Sequence, residues 1–366
     1  MEIKREKQER STKLVLYIDD EPVSHLWVID YEMRIGFSIL RMGGIAGVWT
    51  EEKHRLKGYA SKVLNNSIEF MKEEGYDVSL LFGIPNFYHR FGYATVLPFY
   101  SAQLEVSDIP SFDSRFTIEQ YKPSYKDFLL SVYNQHNRTR TGTLVRTPEK
   151  WETFTHGSGW SSKAVAYVLL SEYQPVAYFV TDEVEPFIIE VGYKEAQYDI
   201  FASLLHHFKS IAEQRGASTL RISAPPDDPF MEFCQRYGLR LTIDYPLNRD
   251  GMGRIINLST LFTKLKDTLI SRLQGKFKGN LVLQTDIGNI SLSINETSLE
   301  IQQTASKPTW DFKIPQSKLM QLIMGYRSID DILLDDDVSI SDEDARPLLR
   351  ALFPKGFPHL WIPDRF

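Results

Sequence analysis

One order of elements occurs twice in this chain of 366 residues, and that repetition constrains the fold more than any other feature. RSTKLVLYIDDEPVSHLWVID (10–30) is echoed by SSKAVAYVLLSEYQPVAYFVTD (161–182). GVWTEEKHRLKGYASKVLNNSIEFMKEEGYDVSL (47–80) is echoed by EVGYKEAQYDIFASLLHHFKSIAEQRGASTLRIS (190–223), and FYHRFGY (87–93) by FCQRYGL (233–239). In the first copy, residues 13–50 read as antiparallel strands rich in β-branched and aromatic residues. Tyr59–Glu74 reads as an amphipathic helix, with Val63, Leu64, Ile68, Phe70 and Met71 on its apolar side and Gly75 at its C′ position. VSLLFG (78–83) and PFYSAQLEV (98–106) read as further strands. Two copies of one α/β unit are therefore expected.

The copies differ at their starts. Residues 116–154 precede the second copy and read as a strand followed by two helices. The first copy begins almost directly at LVLYID, so it is expected to lack its first strand and helix pair. After Pro246 the pattern changes. Residues 279–304 alternate around Gly-Asn turns, as a small antiparallel sheet does. Residues 318–332 and 342–353 read as helices, and the acidic run Asp335–Asp337 as a solvated loop. The expected class is α/β (α+β), divided as 1–112, 113–252 and a third, α+β domain at 253–366.

The net charge of −6 argues against a general nucleic-acid binder. No apolar run approaches the roughly 18 residues of a membrane span, and the charged N-terminus has no signal-peptide core. The expectation is a cytoplasmic protein with no nucleic-acid or membrane partner. Cys234 is the only cysteine, which excludes an intrachain disulfide and CxxC zinc clusters. His206 and His207 have no partners at ligand spacing, so no metal site is expected.

The stretch KHRLKGYA (53–60) joins a strand to a helix. Its bland reading is a basic surface turn. Its chemical reading is a cradle for a diphosphate. The first N–H groups of a helix are free and its dipole favours negative charge there. Gly58 removes a Cβ from the approach, and Arg55 and Lys57 add charge. No G-x-G-x-x-G or G-K-[ST] motif is present.

Strand, then R55-L-K-G58-Y-A60, then helix, resembles motif A of the GCN5-related N-acetyltransferases, [RQ]-x-x-G-x-[GA]. Tyr88-H-R-F-Gly92-Tyr93 resembles their motif B. Two such units followed by a sterol-carrier-protein-like domain resemble the Eis-like (enhanced intracellular survival) acetyltransferases over nearly the whole chain. The resemblance implies acetyl-CoA as donor and an amine acceptor, either a small aminoglycoside-like molecule or a lysine side chain. It implies that Val48, Trp49 and Thr50 flank the pantetheine arm on one side, with Gly83 and Ile84 on the other. The segment Arg55, Leu56, Lys57, Gly58, Tyr59, Ala60 and Ser61 would hold the pyrophosphate. Tyr88 would be the general acid, although its aromatic neighbours also suit a packing residue. The C-terminal carboxylate of Phe366 would be the base, although a terminal residue also suits a frayed end. The family forms homo-oligomers, commonly hexamers.

The second copy serves as an internal control. Aligned on Gly75 and Gly216, Arg55 falls opposite Ala196, Gly58 opposite Asp199, Ala60 opposite Phe201 and Tyr88 opposite Cys234. An aspartate would repel phosphate and a phenylalanine would crowd the backbone, so the second unit is expected to be degenerate. The alternative to an enzyme is a non-catalytic scaffold that binds CoA or lipid.

Overall fold

Four antiparallel strands open the chain: β1 (Glu2–Lys7), β2 (Ser11–Ile18), β3 (Glu21–Ile35) and β4 (Ser38–Thr50). The computed structural model describes every residue except 113, 114, 152, 155 and 303–307. Helix α1 (Tyr59–Glu73) follows and buries Val63, Leu64, Phe70 and Met71 against the sheet. The chain then returns as β5 (Val78–Gly83), parallel to β4, and β6 (Ala94–Thr95). The residues fall into two units: Met1–Leu97 with Pro246–Pro358 and Phe366, and Pro98–Tyr245 with His359–Arg365.

The first strand is therefore present, contrary to the expectation. β1 pairs with β2 from Glu2↔Tyr17 to Lys7↔Thr12. Its sequence EIKREK hides it because nearly every side chain is exposed, and an edge strand carrying charge on both faces shows no apolar alternation. Only the helices between the first two strands are missing, replaced by a tight turn closed by Gln8 N–H to Ser11 O at 2.8 Å.

The sheet of the first unit runs β1-β2-β3-β4-β5, then Asp250–Ile255, then β6. The strand between β5 and β6 thus comes from far along the chain, pairing from Asp250↔Gly83 to Ile255↔Val78. Phe99–Glu105 in turn lies in the sheet of the second unit, between Arg240–Asp244 and Thr219–Ile222. The compact units consequently divide at 97/98 and 245/246 and not in simple chain order.

In the second unit, the described residues of 116–154 hold one α-helix, Lys126–His136, and not the expected two. The irregular loop near 157–163 is organised instead by buried Asp182. Its carboxylate accepts from Ser158 N (2.7 Å), Ser158 Oγ (2.8 Å), Ser162 Oγ (2.5 Å) and Val184 N (2.8 Å). Burial alone would raise this carboxyl's pKa, but the donors outweigh it and hold the group well below the usual aspartate range. The folded pKa is the lower one. This stabilisation is therefore complete above the unfolded value and is lost as pH falls through the folded one. Asp182→Ala is expected to cost about 2 kcal/mol near neutral pH and to flatten the acid limb of stability. Urea melts across pH check this, and an unchanged acid limb would contradict it.

The third sheet is mixed rather than purely antiparallel. Lys278–Thr285 pairs antiparallel with Gly288–Asn295 but parallel with Trp310–Lys313. The expected helix over 318–332 is two helices, Gln316–Ile323 and Ile329–Ile332, separated at Gly325 with φ +71°. The acidic run is not simply solvated: Asp335 pairs with Lys318 (2.7 Å) and Arg327 (2.7 Å), and Asp337 also pairs with Lys318. Among the described residues, no helix is long and apolar enough to cross a membrane.

Candidate active site

The parallel pairing of β4 and β5 runs from Met42↔Val78 to Ile45↔Leu81 and then stops. β4 also shifts register against β3, from His25↔Trp49 to Trp27↔Ala46, three residues on β4 against two on β3. That bulge turns the end of β4 away. Ser24 secures the end, donating to Trp49 O at 2.9 Å and lying 2.8 Å from the Thr50 hydroxyl. The result is a wedge between two parallel strands whose backbone groups no longer pair with each other.

A cavity of about 560 Å³ lies in this wedge. Val48, Trp49 and Thr50 line it from β4, and Ile84 from the end of β5. Arg55, Leu56, Gly58, Tyr59, Ala60 and Ser61 line it from the loop and the start of α1. Tyr88 closes one side. Most residues singled out from the sequence thus meet at one place. Lys57, Gly83 and Phe366 are not in the lining. His54, Phe87 and Arg90 are in it and were missed. Arg90 stands two residues after Tyr88, so only its neighbourhood signalled it.

The loop is shaped for its backbone. Gly58 is the N-cap of α1 with φ +78°, and no side chain caps the helix. Its first N–H groups therefore remain unpaired. A Cβ built at Gly58 would meet nothing within 4 Å, so the helix start opens onto free space. Leu56 adopts φ +64° and is fully exposed. That conformation costs a leucine about 1 kcal/mol, and no packing of its side chain repays it. Arg55 Nε donates to Thr50 O at 3.3 Å, and Arg90 lies over the Phe87 ring at 5.2 Å. Two cationic side chains therefore flank the free N–H groups. This arrangement fits a diphosphate, and the unpaired strand edges fit an extended arm laid between them as an added strand.

Tyr88 is 7 % exposed. Its ring lies against Gly83, where an added Cβ would come within 2.6 Å of it. Gly83 therefore acts by making room for Tyr88. Phe87 packs edge-on at 4.9 Å and Tyr93 at 6.4 Å. Burial raises the phenol's pKa above its usual value, so Tyr88 keeps its proton at neutral pH. On the opposite sheet face, Trp49 stacks on His25 at 5.3 Å. Burial first, and then Lys13, hold the His25 pKa below its usual value.

Phe366 is docked, not frayed. Its ring lies 4.9 Å from Tyr31 and 5.8 Å from Phe82. Gly44 leaves the space, since a Cβ there would come within 2.8 Å of the Phe366 ring. In the second unit, buried Asp364 accepts from Arg146 Nε (2.8 Å) and Tyr133 Oη (2.6 Å), while Arg146 also grips Glu190 at 2.8 and 2.6 Å.

The second unit carries bulk at two of the matching positions. Phe201 is buried against Tyr193, Phe230 and Phe233, with ring separations of 4.8, 5.6 and 5.7 Å. Cys234 is fully buried, with its thiol pKa pushed up by burial.

Residues 1–96 match the family model described as an acetyltransferase (GNAT) domain. No curated protein matches the chain. Among solved structures, a probable N-acyltransferase of Enterococcus faecalis superposes with a TM-score of 0.77 at 17 % identity, covering 98 % of this chain and 89 % of that one. A GCN5-related N-acetyltransferase of Anabaena variabilis gives 0.74 at 15 % identity, covering 97 % and 89 %. Eis1 of Mycobacterium abscessus gives 0.67 at 13 % identity, covering 98 % and 91 %. At such identities these structures speak for the fold. The N-terminal part of the chain thus carries an acetyltransferase (GNAT) domain, set in a mixed α/β fold shared with these structures.

Proposed function

We propose that this chain is an Eis-like N-acetyltransferase that moves an acetyl group from acetyl-CoA to a primary amine, either an aminoglycoside-like molecule or a lysine side chain. One observation carries the reading: unpaired strand edges, free helix N–H groups and a protonated tyrosine meet in one cavity, within the residues that match the acetyltransferase family model. Acetyl-CoA would lie with its arm between β4 and β5 and its diphosphate at residues 55–61. When bound, it supplies the acetyl group and leaves as the thiol. Residues 48–50 and 84 fix the direction of the thioester. Tyr88 gives its phenolic proton to the departing sulfur. A carboxylate on Phe366 would draw the cationic amine in and take one proton, so that the nitrogen attacks the thioester carbonyl as its C–S bond breaks, with the remaining nitrogen proton passing to solvent. The second unit has a structural role. Residues 253–366 are read as a sterol-carrier-protein-like domain, supported by the five-stranded sheet and its helices. The assembly is read as a homo-oligomer, such as a hexamer, in the cytoplasm.

Thiol release from acetyl-CoA, measured across a panel of amines, tests this function. At least one primary amine is expected to be acetylated, and acetyl-CoA binding with no turnover on any amine would sink the enzymatic reading. Extending the chain beyond Phe366 is expected to lower kcat about a hundredfold without weakening acetyl-CoA binding. Full activity in the extended chain would remove the terminal carboxylate from the mechanism.

A further inference from the structure

We propose that Gln316 and Arg254 are positioning residues that hold the turn bearing Tyr88 from outside its own motif. The inference rests on the reading of Tyr88 as the proton donor. The turn, Tyr88–Phe91, is a single short 3₁₀ element ending at Gly92 with φ +75°. Its own closing bond is Gly92 N–H to His89 O at 3.0 Å. An isolated element this short is weakly held by itself.

The rest of the hold comes from distant residues of the same unit. Gln316 is 0 % exposed. Its Nε2 donates to Gly92 O at 2.5 Å, and its Oε1 accepts from Ile255 N–H at 3.0 Å. Gln316 N–H donates to Asp286 Oδ1 at 2.6 Å, fixing the start of helix Gln316–Ile323. Arg254, on the strand inserted between β5 and β6, donates through Nη1 to Phe91 O. The two side chains seat directly on the turn: a Cβ on Gly92 would come within 2.6 Å of Gln316 Nε2 and closer still to Arg254.

On the other side, Tyr93 donates to Ser79 Oγ at 2.8 Å, and Ser79 donates to Gly43 O at 2.8 Å. The chain following Tyr88 is therefore fixed to the sheet through Tyr93 and to the C-terminal region through Gln316. A fully buried amide is costly unless both of its ends are paired. Here one end holds the inserted strand and the other holds the turn. A residue in the C-terminal region thus governs where the phenol points.

Three variants test the proposal: Gln316→Leu, which removes both bonds; Gln316→Glu, which keeps the acceptor for Ile255 N–H and, when ionised, removes the donor to Gly92; and Arg254→Lys, which keeps a donor toward Phe91. Both Gln316 variants are expected to lower kcat about a hundredfold, with acetyl-CoA Kd by calorimetry unchanged. Amide exchange at residues 88–92 is expected to quicken about tenfold, while helix 59–73 stays as in the wild type. Arg254→Lys is expected to retain most of the activity. The proposal is overturned if exchange at 88–92 is unchanged in folded Gln316→Leu, if kcat holds while exchange rises, or if Kd weakens in step with kcat. The exchange readout needs no substrate. It decides whether Gln316 holds the turn even if the wild type proves to transfer no acetyl group, a result that would overturn the functional reading separately.

Discussion

Tyr88→Phe is expected to lower kcat about a thousandfold while leaving acetyl-CoA affinity essentially unchanged. The substitution removes one hydroxyl and keeps the ring. The ring's packing on Gly83, Phe87 and Tyr93 is preserved, so the fold and the cavity walls stay in place. What is lost is a proton that burial keeps on the phenol at neutral pH. The pH profile supplies a second signature. With the folded pKa above the usual tyrosine value, the wild-type rate falls on its alkaline side only as the phenol ionises. The phenylalanine variant has no such group, and its residual rate lacks that limb. A variant that keeps wild-type kcat would show that Tyr88 is only a packing residue.

Gly58→Asp is expected to weaken acetyl-CoA binding by about a thousandfold or more. Gly58 sits at the start of α1 with unpaired N–H groups beyond it and open space where its side chain would be. A carboxylate there would project into the region proposed to receive the diphosphate and repel it. Gly58→Ala separates charge from backbone strain. Its methyl would touch nothing within 4 Å, so its cost is about 1 kcal/mol of left-handed backbone strain, with binding largely retained. Calorimetry on both variants checks the pair. Equal losses in the two would assign the glycine to the turn alone and not to the phosphate.

The site was legible where its determinants lie close together in sequence. Residues 48–50, 55, 56, 58–61, 84 and 88 line one cavity because one strand, one loop and one helix start carry most of them, and local rules for helix ends describe that geometry. The docking of Phe366 was expected from the resemblance, but its cause was not. That cause is the bare face of Gly44 beside Tyr31 and Phe82, which no local pattern announces. β1 escaped because a charged edge strand has no apolar period. The placement of Asp250–Ile255 beside β5, and of Phe99–Glu105 in the other sheet, escaped for a different reason. Phe99–Glu105 reads as a strand wherever it pairs, whereas DGMGRI with its two glycines gives no strand signal of its own, and in both cases only tertiary packing selects the sheet. Gln316 is the extreme case: a lone glutamine at a helix start, with its partners at Gly92 and Ile255.

The central claim is that one unit of the two keeps the cofactor chemistry. A calorimetric titration of the wild-type chain with acetyl-CoA tests it most directly, because it reads affinity and stoichiometry together. A single site per chain is expected, in the wedge beside Gly58, with none at the filled positions around Phe201. No binding, or two equivalents per chain, would contradict it.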